Sequence, residues 1–404
     1  MSVLSGARVV LGISGGIAAY KAAELTSKLV QGGATVDVIL TAAAREFIGA
    51  TTFQALTKRP VHGEVFETWS EVSFGHISLA KEAQVLVVAP ATAQTIARLA
   101  AGFADDMLGA VALSTDAPLI VAPAMEHHMY HHPATQANLT TLRERGMVQV
   151  GPATGRLASG YQGDGRMAAP DMILGVIRQV LGRDGALAGR HVVITAGGTQ
   201  EPIDPVRYIG NRSSGRMGYA LAQAAIDAGA RVTLISGPSS LTPPPTADVI
   251  RIGTAAEMAS AVNDAVADAD ALIMSAAVAD FRPRQAHERK IKKGTVDEPS
   301  VIELERTTDI LATTDRPGLV KIGFAAETDH LLENARQKLD SKGLAMIVAN
   351  DAVATIGSTE STAILLTPDG PPERLPHQGK TGVAEAIIAR LAAMLERPHG
   401  RDQP

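Results

Sequence analysis

Short runs of aliphatic and β-branched residues alternate with longer, alanine-rich stretches of helical period through most of the chain. Apolar runs at 9–11, 36–41, 85–89, 118–122 and 148–150 predict five strands. A second series at 191–195, 231–236, 271–275, 319–323 and 345–349 predicts five more. Helical patterns between them include 18–29, 95–101, 215–228, 257–267 and 330–339. These strands are apolar along their length rather than at alternate positions. That is the pattern of strands buried on both faces, so the expected class is α/β, with parallel sheets covered by helices.

The pattern starts twice. Arg8-Val-Val-Leu-Gly-Ile-Ser-Gly-Gly opens the first series and Arg190-His-Val-Val-Ile-Thr-Ala-Gly-Gly the second, each running from a strand into a glycine turn and then a helix. Between them, residues 181–189 (LGRDGALAG) are short, polar and glycine-bearing. Two doubly wound, Rossmann-like domains are therefore expected, 1–183 and 190–404, with a linker at 184–189. Late in the chain, 361–367 and 373–376 flank the turn Pro368-Asp-Gly-Pro-Pro and predict a hairpin on the second domain.

A length of 404 residues suits two average domains, and a composition 46% hydrophobic and 20% charged allows each a sizeable core. The net charge of −5 gives no global attraction to nucleic acid or to an anionic membrane, and neither is expected as a partner. There is no cysteine, which excludes disulfides, thiolate metal sites and a cysteine nucleophile. The apolar run after Arg8 is too short and poorly flanked for a signal peptide, and no run reaches the roughly 20 residues of a membrane span. A soluble cytoplasmic protein is expected.

Several strand ends carry chemistry. Gly12-Ile-Ser-Gly-Gly-Ile-Ala-Ala-Tyr-Lys21 places small residues where backbone N–H groups can approach a phosphate at a helix start; a tight turn without a ligand is the alternative. Pro90-Ala-Thr-Ala-Gln-Thr-Ile-Ala97 offers hydroxyls and an amide to a ring edge or a phosphate, or simply an N-cap cluster. The stretch from Asp204 to Gly218 (DPVRYIGNRSSGRMG) puts three arginines, an asparagine, two serines and glycines before a helix, a composition suited to carboxylate or phosphate. Arg289-Lys-Ile-Lys-Lys-Gly294 is either a solvated surface or, with that arginine loop, part of a polyphosphate site. Asp280, at a strand end, would face a nucleotide or its magnesium. His76 stands alone. Residues 125–132 (MEHHMYHH) pair His127 with His131 and His128 with His132, the spacing of two metal ligands on one helix face. A metal would need a third ligand, and no cysteine supplies it.

Taken together, these motifs resemble the bifunctional coenzyme A biosynthesis proteins, in which a phosphopantothenoylcysteine decarboxylase is joined to a phosphopantothenate–cysteine ligase. The resemblance covers nearly the whole chain in the same domain order. The first half is similar to the flavin-dependent cysteine decarboxylases in GISGGIAAYK, the GHI around His76, PATAQTIA and Pro123-Ala-Met-Glu-His-His-Met-Tyr130. The second half is similar to the ligase in TAGGTQEPIDPVRYIGNRSSGRMG, AAVADFRP, KIKK and GFAAET.

The resemblance implies a flavodoxin-like flavoprotein domain that binds FMN through Ser14, Gly15, Gly16, Thr41, Thr92 and Thr95. It makes the histidine-rich stretch a substrate loop beside the flavin, with Met125, Glu126, Met129 and Arg166 as substrate-binding positions and His76 as catalytic acid–base. In the ligase half it implies that 4′-phosphopantothenate and CTP form an acyl-cytidylate, with magnesium on the triphosphate, and that the amine of cysteine then attacks. Asn211 would engage the acyl group, with Arg207 in the same loop, and Lys290 would support the phosphates and the second half-reaction. Ser213, Ser214, Ser275, Ala276, Ala277, Asp280, Thr308, Asp309, Ile310, Leu311, Phe324, Lys338 and Lys342 would contact substrates, and Asp280 the magnesium. A homo-oligomer is implied too, with a trimeric flavoprotein core and dimeric ligase domains giving a dodecamer.

Two positions depart from the family pattern. Glu126 stands where an asparagine clamps the substrate carboxylate, and would repel it unless protonated or turned away. Residues 155–166 look like the active-site flap, where Ser159 replaces a cysteine that donates the last proton; a hydroxyl is a far weaker acid. These departures leave two alternatives open: a ligase with a catalytically weak flavoprotein scaffold, or a non-catalytic half that regulates another protein.

Overall fold

The protein is described from a computed structural model over residues 2–63, 75–291, 301–327, 330–351 and 360–396. It forms two compact units, one ending at Gly182 and the other running from Arg183.

In the first unit, β1 (Arg8–Ile13), β2 (Thr35–Leu40), β3 (Val61–His62), β4 (Val85–Ala91), β5 (Leu119–Pro123) and β6 (Val148–Gln149) form one sheet in the order β3-β2-β1-β4-β5-β6. Every neighbouring pair is parallel. Without the two-residue edge strand β3 the winding is that of flavodoxin-like sheets. Successive residues of β1 explain the continuous apolar run. Val9 and Leu11 pack on one face with Leu25 and Leu29 of the helix Ala19–Gln31 and Ile173 and Ile177 of the helix Pro170–Gly182. Val10 packs on the other with Ile96, Met107, Leu108 and Leu139. Crossovers leave β1 and β4 on opposite faces, so a crevice opens between their carboxyl ends. An antiparallel hairpin follows, β7 (Ala153–Arg156) with β8 (Gln162–Arg166).

The strands of the second unit are β9 (His191–Ala196), β10 (Gln200–Pro202), β11 (Tyr208–Gly210), β12 (Arg231–Ser236), β13 (Asp248–Arg251), β14 (Ala271–Met274), β15 (Phe281–Pro283), β16 (Leu304–Arg306), β17 (Val320–Glu327), β18 (Met346–Asp351), β19 (Glu360–Ser361), β20 (Ile364–Leu366), β21 (Glu373–Arg374) and β22 (Gln378–Gly379). Eight of them form a sheet in the order β13-β12-β9-β14-β17-β18-β20-β21. Pairing is parallel from β13 to β18 and antiparallel at β18/β20 and β20/β21, and the last pair is the hairpin expected around Pro368–Pro372. The helix Lys380–Glu396 buries Val383, Ile387, Ile388 and Leu391 in the same core as Leu221, Ala225 and Ile226 of the helix Arg216–Asp227.

One expectation is corrected. Leu187, inside the segment read as a linker, is fully buried in the second core, and its N–H donates to Ala228 O at 2.7 Å. An apolar side chain with that burial belongs to the second unit, so 184–189 is not a free linker. No helix among the described residues is long and apolar enough to cross a membrane.

Candidate functional site

Polar loops meet at the carboxyl ends of β1, β2 and β4. Ser14 is buried, and both its N–H (3.2 Å) and its hydroxyl (2.7 Å) donate to Pro90 O, while its Oγ accepts from Thr92 N–H at 2.9 Å. Both donors of Ser14 are thus committed to the protein. It ties the loop after β1 to the loop after β4. A Cβ on Gly15 would lie 2.4 Å from the Ala43 Cβ, so only glycine lets the loop after β1 approach the short helix Ala42–Arg45. A Cβ on Gly16 would meet nothing nearer than Thr92 Cγ2 at 3.8 Å among the described residues.

Thr41 caps Ala42–Arg45 and Thr92 caps Ala93–Ala101; Thr92 and Thr95 also bond each other through their hydroxyls at 3.1 Å. The helix Ala19–Gln31 starts at Ala18 without a side-chain cap. Near that start, burial and then the Arg166 guanidinium hold the Lys21 ammonium below its usual pKa, and Lys21 Nζ donates to Met167 O at 3.3 Å. Hydroxyls, a helix start, open glycine and two mutually repelling cations suit a phosphate. Lys21 was quoted in the first motif but not singled out. His76 is half-buried in the first turn of the helix Gly75–Glu82, whose Leu79 and Ala80 pack on the Val10 face of the sheet.

After β5 the chain passes Met125 into a five-residue helix, His127–His131, instead of running as a loop to Pro133. Glu126 is its N-cap. One carboxylate oxygen accepts from His128 N–H at 2.7 Å, and the other lies 3.0 Å from His128 Nδ1. Partial burial opposes the charge, but these bonds outweigh it and hold the carboxyl below its usual range. Glu126 is therefore ionised and turned onto its own helix. Met129 is exposed on this helix.

The hairpin β7–β8 is stitched to this segment by a bond from Met125 N–H to Gly165 O at 2.9 Å. Gly165 has φ +138°, and a Cβ there would sit 2.2 Å from Met125 O. Asp164 accepts from Thr154 Oγ1 at 2.6 Å and meets His131 Nε2 at 3.2 Å; the threonine bond and then the histidine hold its carboxyl below the usual range. Ser159 is exposed at the hairpin tip, where its Oγ accepts from Tyr161 N–H at 3.5 Å. Arg166 is exposed at the end of β8, with its guanidinium across Gly155.

In the second unit, a cleft of about 790 Å³ opens beyond the carboxyl ends of β9, β14 and β17. It is lined by Asn211, Ser213, Ser214, Ser275, Ala276, Ala277, Asp280, Thr308, Asp309, Ile310, Leu311, Phe324 and Lys342, all expected substrate positions. The Asn211 amide donates to Ala277 O (3.3 Å) and Val278 O (3.1 Å), joining the arginine-rich loop to the end of β14. Gly215 (φ +78°) turns the chain into the helix Arg216–Asp227, and the Ser213 Oγ accepts from its N–H at 3.4 Å. The Lys342 ammonium lies 2.7 Å from Asp309. Burial disfavours the Asp309 charge, but Lys342, the Ala312 N–H and Lys338 more than offset it, so its carboxyl titrates below the usual range.

Three expected positions do not line this cleft. Arg207 binds Asp204, a fully buried carboxylate, and also donates to Ile291 O at 3.1 Å. Asp204 in turn accepts from the N–H groups of Val206, Arg207 and Ile291. Arg207 is thus spent on neutralising a buried charge that ties the loop to the KIKK segment. The Arg207 bonds, with these N–H groups and against the cost of burial, hold the Asp204 carboxyl far below the usual range. Lys290 is exposed outside the cleft, and Lys292 and Lys293 lie outside the described residues. Lys338 sits one helical turn from Lys342 and acts on Asp309 through its charge. The cleft also includes Arg216, one of the three arginines of the 204–218 stretch, and Asn350 and Lys380, which sequence reading missed. Burial, then Arg216, holds Lys380 below its usual pKa.

The sequence signature described as Flavoprotein matches residues 2–182. That described as DNA/pantothenate metabolism flavoprotein C-terminal domain matches residues 187–395. The chain is 44% identical over 403 residues to the coenzyme A biosynthesis bifunctional protein CoaBC of Vibrio vulnificus (strain YJ016), covering 98% of this chain and all of that one (100%). It is 43% identical over 400 residues to the protein of the same name from Bacillus subtilis (strain 168), covering 97% and 98%. A solved structure of the C-terminal domain of CoaBC is 41% identical, covers 52% of this chain and 98% of that one, and has a TM-score of 0.45.

Proposed function

The chain belongs to the family of bifunctional coenzyme A biosynthesis proteins, and we propose how its two units divide that work. Its function is coenzyme A biosynthesis through a ligase step and a decarboxylase step.

The second unit joins 4′-phosphopantothenate to cysteine. The substrate carboxylate attacks the α-phosphorus of CTP, and pyrophosphate leaves. The cysteine amine then attacks the acyl carbon of the resulting acyl-cytidylate, and CMP leaves. Such steps need charge neutralisation and in-line placement more than covalent help from the protein. Lys342, Lys380 and Arg216 bring positive charge to the cleft, and Phe324 gives it an apolar wall. Asn211, held by two carbonyls of the β14 end, is the group that orients the acyl centre. Of the two carboxylates at the cleft, Asp309 is paired with Lys342. Asp280 is exposed there, and an oxygen ligand of that kind suits Mg2+ on the triphosphate. Lys290 lies outside the cleft, so a role for it requires movement of the KIKK segment.

The first unit decarboxylates 4′-phosphopantothenoylcysteine to 4′-phosphopantetheine. FMN, held by its phosphate near Gly16, Thr41, Thr92 and Thr95, supplies the electron chemistry at the cysteinyl end. Lys21 and Arg166 provide anion-binding charge at the flap base, His76 moves the proton at the thiol end, and the β7–β8 hairpin shields the site from water. Magnesium-dependent CTP use, a cytoplasmic location and assembly as a homo-oligomer, with a trimeric flavoprotein core and dimeric ligase units making a dodecamer, belong to the same proposal.

The reading is carried by the cleft at the β9/β14 switch point, lined by the loop at 211–218 and the segment at 306–311. A coupled assay tests it. Phosphopantothenate, cysteine, CTP and Mg2+ are given to the purified protein, and products are followed by mass spectrometry. Formation of 4′-phosphopantetheine is expected. Accumulation of phosphopantothenoylcysteine would leave only the ligase, and absence of CTP turnover would sink the reading.

A further inference from the structure

The histidine-rich helix acquires what its sequence lacked, a third ligand. We propose that His127, His131 and Asp164 form a site for a first-row divalent transition ion of the Zn2+ type, which clamps the flap hairpin to the helix His127–His131.

Four residues apart on one helix, His127 and His131 share a face, and their ring centroids are 4.4 Å apart. Asp164 comes from β8, 33 residues later, and its Oδ2 lies 3.2 Å from His131 Nε2. One ligand atom from each of the three lies within 4.8 Å of the others. A tetrahedral ion with bonds of about 2.0–2.2 Å spaces its ligands roughly 3.5 Å apart, so side-chain rotation alone brings the widest pair into range. Thr154 Oγ1 donates to the other carboxylate oxygen, Oδ1, at 2.6 Å, which leaves Oδ2 aimed at the histidines. A ligand carboxylate oriented by an outer hydrogen bond is what metal sites use to fix their donors. His127 Nδ1 is enclosed without a hydrogen-bond partner among the described residues, so that ring has unspent capacity inside the cluster.

Two imidazoles and one carboxylate favour zinc, cobalt or nickel. They supply too few oxygens for calcium or magnesium. The fourth position is left to water, since His131 and Asp164 are partly exposed. The clamp acts where the hairpin is already bonded to Met125 through Gly165, so an ion there stiffens the junction of flap and substrate loop.

The test uses tag-free, full-length protein carrying its native flavin, titrated with Co2+ and read between about 550 and 650 nm, beyond the flavin band. One equivalent per chain should give the intense absorption of a four-coordinate nitrogen–oxygen site, and Zn2+ should abolish it. His131→Gln and Asp164→Asn should each weaken binding roughly tenfold or more. His128→Gln should leave it unchanged, because His128 faces Glu126. Flavin spectrum and melting temperature show that each variant is folded, and if His131→Gln does not fold, Asp164→Asn decides. Only the weak absorption of a six-coordinate ion, or an intense band that survives in a folded ligand variant, would overturn the proposal.

Discussion

Gly218 sits in the first turn of the helix that opens the ligase cleft, and a methyl group there has nowhere to go. A Cβ would lie 2.4 Å from the Ala196 Cβ, 2.8 Å from Ser275 Oγ and 2.9 Å from Thr195 O. Its backbone angle is ordinary, so Gly218→Ala probes packing alone. Two effects compete. Helix propensity favours alanine by about 1 kcal/mol. Overpacking a closed site costs about 1–3 kcal/mol. The 2.6 Å bond from Ser275 Oγ to Thr195 O lies in the path of the new methyl, and its loss adds about 1 kcal/mol. The net expectation is a loss of about 2 kcal/mol, or roughly 4–8 °C in the melting of the second unit. The helix must also withdraw from β9, carrying the 211–217 lining with it. A displacement of about 1 Å there should lower kcat/KM for CTP by one to two orders of magnitude. Calorimetry and ligase kinetics measure both, with Gly379→Ala as the control, since nothing among the described residues lies within 4 Å of its Cβ position. If Gly218→Ala melts at or above the wild-type temperature with unchanged CTP kinetics, the close approach of helix and strand is wrong.

Asn211→Asp replaces a donor to two carbonyls with a group that repels them, so amide formation should fall by at least about 100-fold; a full rate would remove Asn211 from the mechanism. Because the Asp204 carboxyl titrates far below its unfolded value of about 3.9, its contribution is complete above that value and is lost as pH falls toward the folded pKa. Asp204→Asn should therefore lower stability at neutral pH and flatten its decline between about pH 5 and 3; melting curves with parallel slopes would refute this. His76→Asn should make phosphopantothenoylcysteine accumulate, and normal decarboxylation would end its acid–base assignment. Ser159→Cys supplies a thiol with a pKa near 8.5 at the flap tip and should speed the last proton transfer several-fold; an unchanged turnover would mean another acid already serves.

Both sheets were legible because they are covered on both faces. Val9, Val10 and Leu11 are all buried, so the strand reads as one apolar run with no polar interruption. The loops at strand ends were legible for a related reason: glycines such as Gly15 and Gly218 are required wherever backbone meets backbone. What stayed hidden depends on which distant segments meet. Asp164 reaches His131 only because the hairpin folds back on the helix after β5. Lys380 joins the cleft because the last helix packs on Arg216–Asp227, a contact that no local pattern encodes. Arg207 has a partner that its loop composition does not reveal. Its guanidinium pairs with the chain's own Asp204, three residues earlier.

That last helix has a bearing on how the enzyme comes into being. Lys380 lines the cleft, and Ile387 and Leu391 fill the core beneath it, so the second unit lacks these contacts until the helix Lys380–Glu396 has been made. The first unit is finished at Gly182. At usual elongation rates the rest of the 404-residue chain takes roughly 10–40 s more. On a ribosome the unit that acts second can therefore fold, and take up its flavin, while the unit that acts first is still being written.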